Sequence, residues 1–182
     1  MFWRGRFSDA RKWLPPSAEG LTCLGWTLAL QGEHEAALAL PQNATLHFFL
    51  DDPEACLRWI GTPANPVAAA QADLLRYWAY TRLGEHSDEA TAQAALATLR
   101  RLAPCEAARG TALHAEAAFS RQPLYALAHL DHALDLFARF GLHHLEARLL
   151  NLKAQALDAA GLLGDASRFQ QAAAEARRRQ GL

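Results

Sequence analysis

The sequence predicts an all-α protein, and three observations carry that prediction. The 182 residues include 40 Ala and 31 Leu, but only one Val (Val67) and one Ile (Ile60). Ala and Leu head the helix-propensity ranking, whereas strands draw on β-branched and aromatic residues. A substantial sheet is therefore excluded, and with it the phosphate and dinucleotide sites that sheets carry. Apolar residues also recur at helical spacing. Leu127, Leu130, Leu134 and Phe137 form one stripe while Asp131, Asp135 and Arg139 lie on the other side, and Leu145, Leu149, Leu152 and Ala156 repeat the pattern. The third observation is the punctuation. Pro15-Pro16, Pro41, Asp52-Pro53, Asn65-Pro66, Pro104 and Gln122-Pro123 break the chain at short intervals, and Pro fits the first turn of a helix because that N–H has no intrahelical partner.

Taken in order, these marks place helices at about 5–14, 18–31, 34–40, 43–50, 53–60, 66–83, 87–103, 105–120, 123–140, 143–160 and 164–179. Asp52, Asn65 and Ser87 are the expected N-caps, and Asp88 with Glu89 puts negative charge in a first turn, where the helix dipole favours it. The linkers are only a few residues long, which forces consecutive helices into antiparallel hairpins. The expectation is one helical domain over 1–182, about five hairpins, with shorter irregular units over 1–65 and longer ones over 66–182.

Other classes fall on composition. With 18 basic and 19 acidic residues the net charge is −1, so no overall field draws the chain to nucleic acid or anionic lipid. Direct nucleic-acid binding is not expected. No apolar run approaches the roughly 20 residues that cross a bilayer. The opening Met-Phe-Trp-Arg-Gly-Arg-Phe leads into no apolar region, so no signal peptide and a cytoplasmic location are expected. Cys23, Cys56 and Cys105 are odd in number and far apart, as buried thiols in a reducing compartment would be. No Cys-x-x-Cys occurs.

An internal repeat then appears. A Gly is followed five positions later by an Ala at Gly5/Ala10, Gly32/Ala37 and Gly161/Ala166, with Arg121/Ala126 as a version lacking the Gly. Gly accepts the left-handed turn that ends one helix, and a small Ala early in the next lets two backbones approach. Leu21, Leu24, Gly25, Leu28, Gly32 and Ala37 extend the pattern to Leu-x-x-Leu-Gly-x-x-Leu-x-x-x-Gly-x-x-x-x-Ala. Tyr80, Gly84 and Ala92 repeat part of it, and Ala126, Leu130 and Ala133 supply a small-large-small rhythm. This order of landmarks resembles the tetratricopeptide repeat. The irregular, Ala- and Leu-rich units are also similar to the helical arrays of large bacterial LuxR-type transcription activators. On this alignment the chain is expected to start inside a repeat, with a half-unit whose first helix would precede Met1; either the N-terminal helix is a cap or the sequence is a piece of a longer protein. Phe2, Trp3, Phe7 and Trp13 are then expected at the end of the stack, either folded onto the first hairpin or available for partner contact or self-association.

The resemblance implies a right-handed solenoid whose first helices line a concave groove that holds a peptide. Carried over position by position, the groove residues are Glu19, Thr22 and Trp26; then Gln71, Leu74, Trp78 and Arg82; then Arg148, Asn151, Gln155 and Asp158. Trp26 and Trp78 have a second reading, as core residues packed between hairpins. The Lys/Arg and Asn pattern with which chaperone-binding family members hold a terminal carboxylate is not reproduced.

The residues most suggestive of chemistry are His129, His132 and Asp135 on one helix, with His143 and His144 downstream. Positions i and i+3 share a face, so a metal site is conceivable, but zinc draws ligands from more than one element. Solvation explains the same residues. Cys105 follows Pro104 at a helix start, where the dipole lowers a thiol pKa; an idle thiol explains it equally. Asp51-Asp52 and Asp88-Glu89 read as caps, and Arg177-Arg178-Arg179 as cations at a helix C-terminus. The function expected is non-catalytic binding of a protein or peptide, with no cofactor. The alternatives are the sensor part of a transcription regulator and a small metal-dependent enzyme.

Overall fold

The structure is a computed structural model that describes residues 14, 15 and 17–182. The expected helix at 5–14, the Gly5/Ala10 pair and the four N-terminal aromatic residues lie outside the described residues. Within them there are ten helices and no strand. These are α1 (Ala18–Leu30), α2 (His34–Leu38), α3 (Ala44–Phe49), α4 (Pro53–Arg58) and α5 (Pro66–Arg82). They continue as α6 (Glu89–Leu102), α7 (Pro104–Arg121), α8 (Pro123–Phe140), α9 (Glu146–Ala159) and α10 (Leu163–Gln180). No helix among the described residues is long and apolar enough to cross a membrane.

Helix starts follow the local chemistry. Pro53, Pro66, Pro104 and Pro123 open α4, α5, α7 and α8. The side chains of Ser17, Asn43, Asp52 and Asn65 each accept from a backbone N–H three residues on, at 2.9–3.2 Å. One cap shifts from expectation. Asp88, not Ser87, caps α6 by accepting from Ala90 N at 3.0 Å, because the Ser87 hydroxyl is taken by Thr81 and Arg121. The last long hairpin also starts later than periodicity suggests: α9 begins at Glu146, and His143–Leu145 form the turn before it.

Six of the ten described helices end by one device. At Gly32, Gly84, Gly141, Gly161 and Gly181 the chain adopts a left-handed conformation (φ 62–80°), and the next residue's N–H reaches back to the carbonyl five residues before it, as in Glu33 to Leu28 and Leu162 to Leu157 at 2.9 Å. This is the Schellman closure, in which an αL residue lets orphan carbonyls be satisfied. The end of α3 uses the same closure, with Asp52 N donating to His47 O at 2.9 Å, but the left-handed residue there is Asp51 (φ 56°). Among the described residues it is the one non-glycine with positive φ.

Neighbouring helices pack in pairs, and each odd-numbered helix also touches the next odd-numbered one: α1 on α3, α3 on α5, α5 on α7 and α7 on α9. The main core runs through these odd helices, from Leu28 through Leu46, Phe48, Phe49 and Trp78 to Ala112, Leu145 and Leu149. The repeat's small residues occupy the tight contacts, since Ala37, Ala92, Ala126 and Ala133 are fully buried. On α8 the buried face is Ala126, Leu130, Ala133 and Phe137, with Leu127 and Leu134 at its margin. The stripe is thus centred on the small residues, because they let α8 approach α7 closely.

Candidate functional site

The expected groove residues separate into four groups. Trp78 is 0 % exposed, with Phe48 edge-on to its ring at 5.0 Å; it belongs to the core, and so does Leu74. Trp26 is half-buried and donates from Nε1 to Asn43 Oδ1 at 3.1 Å. With Gln71 it borders a small cavity of about 180 Å³ that also meets Phe48, Leu74 and Gly110. Gln71 is tied into the structure there, donating to Glu106 Oε2 at 2.7 Å. Glu19 and Asp158 are exposed, and the Thr22 hydroxyl bonds back to Ala18 O within its own helix.

The remaining four, Arg82, Arg148, Asn151 and Gln155, converge. They surround a hollow of about 300 Å³ with Asp51, Glu116, Phe119, Ser120 and Leu152. All the lining therefore comes from α5, α7, α9 and the turn after α3. Arg148, Asn151 and Gln155 share a face because positions three and four apart on a helix are neighbours. Asp51 reaches the hollow from the Schellman turn, where its Oδ2 accepts from Arg82 at 2.5 Å. Arg148 donates to Glu116 Oε2 at 2.7 Å and lies 3.5 Å from Asp51 Oδ1, with its guanidinium over the Phe48 ring at 4.9 Å.

Glu116 is the residue that sequence reading missed. It is 4 % exposed, and burial pushes its carboxyl up from the usual range against the pull of Arg148. Its second oxygen, Oε1, has no hydrogen-bond partner. A signal was present in the sequence. Glu116 is the one charged side chain in Ala115-Glu116-Ala117-Ala118, on a helix face otherwise made of buried small residues. Asn151 and Gln155 likewise have no protein partner for their amides among the described residues. The hollow therefore offers two engaged arginines, two carboxylates, one unpaired acceptor and two free amides.

The histidines do not assemble. His129 is half-buried between Tyr125 and His114, with ring centroids 5.1 and 4.9 Å away, and burial lowers its pKa together with the charge of His114. His132 and Asp135 are exposed on α8. His143 pairs with Glu146 at 2.8 Å, and His144 is buried between Phe137 and Phe49. Among the described residues no three His, Cys, Asp or Glu side chains are placed to hold a metal ion. The cysteines do not share one environment. Cys56 is buried, its thiol pushed up to about 12 by burial, while Cys23 is half-buried and Cys105 exposed.

A second polar cluster lies on the other flank of α7. Glu89, at the start of α6, accepts from His114 Nε2 at 2.7 Å, Gln93 Nε2 at 3.2 Å, Arg121 Nη1 at 3.2 Å and the Tyr77 hydroxyl. Burial alone would raise the Glu89 pKa. The hydrogen bonds from Tyr77, His114 and Gln93 outweigh it and hold the carboxyl down at about 2. Every carboxylate oxygen here is occupied, and the cluster ties the 83–88 loop to α7.

Compared with known proteins, the chain matches no family model. It matches no curated protein, and no solved structure.

Proposed function

We propose that this chain is a non-catalytic binding module, a tetratricopeptide-like array that holds a peptide or protein segment against its first-helix layer. The observation that carries this reading is the convergence of Arg82, Arg148, Asn151 and Gln155 on one hollow. In such an array these positions face the ligand, and the hollow is lined by odd-numbered helices together with one turn. Two free amides suit a peptide backbone, which presents one donor and one acceptor per residue. The chain of contacts from α1 to α3, α5, α7 and α9 supports a repeating stack, whose rigid surface binds with little ordering cost. The hollow's size, about 300 Å³, also favours a second reading. It is at the small end of small-molecule sites, as a sensor part of a regulator would need.

Selection from a random peptide library followed by fluorescence anisotropy tests the main reading. Enriched peptides should bind the wild type and lose at least tenfold in affinity to Asn151→Ala/Gln155→Ala, a variant first checked for unchanged helicity and melting. Failure to enrich any peptide, or equal affinity for the double variant, overturns it.

A further inference from the structure

The unpaired oxygen of Glu116 says what kind of group the hollow is built to take. Buried polar atoms in folded proteins are nearly always hydrogen-bonded, and an exception calls for an explanation. Glu116 is 4 % exposed, uses Oε2 on Arg148 and leaves Oε1 unpartnered. Both arginines of the hollow are already engaged, Arg82 with Asp51 and Arg148 with Glu116. An incoming anion would find its cations neutralised, whereas an incoming donor meets, in the lining, a carboxylate whose buried Oε1 has no partner.

Asp51 points the same way. Among the described residues five helix ends close with glycine in the left-handed conformation, and this one closes with a residue for which it costs more than for glycine, although Asp is among the side chains that tolerate it best. The side chain it keeps there is a second carboxylate at the hollow's rim. Two apolar side chains, Phe119 and Leu152, stand in the lining beside the charged groups and the polar Ser120, Asn151 and Gln155. A carboxylate oxygen without a partner, close to Phe119 and Leu152, suits a cationic donor carried on an apolar stem. A primary ammonium carries three donors and no acceptor, and on an alkyl stem it brings its own apolar surface.

Building on the binding-module reading, we propose that the hollow binds a primary alkylammonium group. The ammonium donates to Glu116 Oε1, and the stem lies along Phe119 and Leu152. A lysine side chain of a bound peptide and a free alkylamine both present this group.

Calorimetric titration of the full chain distinguishes them. The probes are pentylamine, its uncharged counterpart pentan-1-ol, Nα-acetyl-lysine methylamide and Nα-acetyl-norleucine methylamide. Both amines should bind saturably, at least tenfold more tightly than their uncharged partners, and Glu116→Gln should remove that preference. Should Glu116→Gln fail to fold, Ser120→Lys decides. Ser120 is exposed at the rim, so a lysine there leaves the core intact and puts a tethered ammonium into the hollow, which should compete with both amines. Equal binding of the uncharged probes, or amine binding undiminished in Ser120→Lys, overturns the inference. If neither amine binds while library-selected peptides still depend on Asn151 and Gln155, the ammonium inference fails and the peptide reading stands. If pentylamine binds and the lysine derivative does not, the ammonium inference holds for a free amine and the peptide reading fails at this hollow.

Discussion

His114 and Glu116 are two residues apart on α7, yet they belong to polar clusters of opposite character. On the His114 side, the Glu89 carboxylate collects four donors, the Tyr77 and His114 rings stack at 5.4 Å, and Arg121 lies over the Tyr77 ring at 5.1 Å. On the Glu116 side, a carboxylate far more deeply buried has one ion-pair partner and an oxygen left over. Glu89 is 43 % exposed and Glu116 only 4 %, so burial alone does not predict which is better satisfied. Completeness is what differs. A saturated cluster has no capacity for a ligand and fixes a loop. An unsaturated one keeps capacity, and its cost is carried by the rest of the fold.

The largest effect that could break this comparison comes from Arg148→Ala. The variant leaves Glu116 buried with neither oxygen paired, and removing one partner of a buried pair costs about 3–5 kcal/mol. Urea unfolding at pH 7 should show that loss. Burial already raises the Glu116 carboxyl, so in the variant it takes up a proton more readily, and the deficit should shrink as pH falls. Glu116→Leu/Arg148→Met should recover most of the stability, since a well-packed apolar pair replaces a buried ionic one at little cost. A loss below about 1 kcal/mol for Arg148→Ala would mean that the pair is solvated, and the contrast with Glu89 would disappear.

Glu89→Ala should have a smaller effect, about 1–3 kcal/mol, from leaving the Tyr77 hydroxyl and His114 without an acceptor. Amine or peptide affinity should not change. The cluster also has a pH signature. The Glu89 pKa is held down at about 2 from an ordinary 4.5, so the folded state prefers the ionised form. The stability this contributes is fully present above about pH 4.5 and is lost as pH falls through about 2. Wild-type melting temperature should therefore decline across that window, and Glu89→Gln should flatten the decline. An unchanged acid profile in the variant would assign the acid sensitivity to other carboxylates.

How far these regions were readable in the sequence follows from the range of the forces involved. Helix starts are local: Asp52-Pro53 and Asn65-Pro66 carry their cap and their N1 residue side by side, and both caps form. The Gly32 and Gly161 turns and the buried Ala37 and Ala166 are local too. Arg148, Asn151 and Gln155 were legible as a polar face through their spacing on one helix. Their meeting with Asp51 was not, because Arg148 and Asp51 are 97 residues apart and no periodicity links them. Trp78 had two sequence readings, since a tryptophan suits a groove and a core alike; Phe48 packing on its ring decides for the core. Ser87 had the right chemistry for a cap, but tertiary partners at Thr81 and Arg121 took its hydroxyl.

The smallest expected effect is the sharpest on the hollow itself. In Asp51→Gly, relief of the left-handed conformation and loss of an exposed ion pair oppose each other. Relief is worth about 1 kcal/mol. The Arg82 pair is partly exposed on both sides, and such pairs contribute roughly 0–1 kcal/mol. The two should nearly cancel, leaving the urea midpoint almost where it was. Affinity for pentylamine should nevertheless fall several-fold, because the rim loses a carboxylate and Arg82 loses the charge that neutralised it. Stability unchanged and affinity reduced would place Asp51 with Glu116 as part of the binding surface. A clear loss of stability with affinity unchanged would instead place it with Glu89, as a residue that holds a turn.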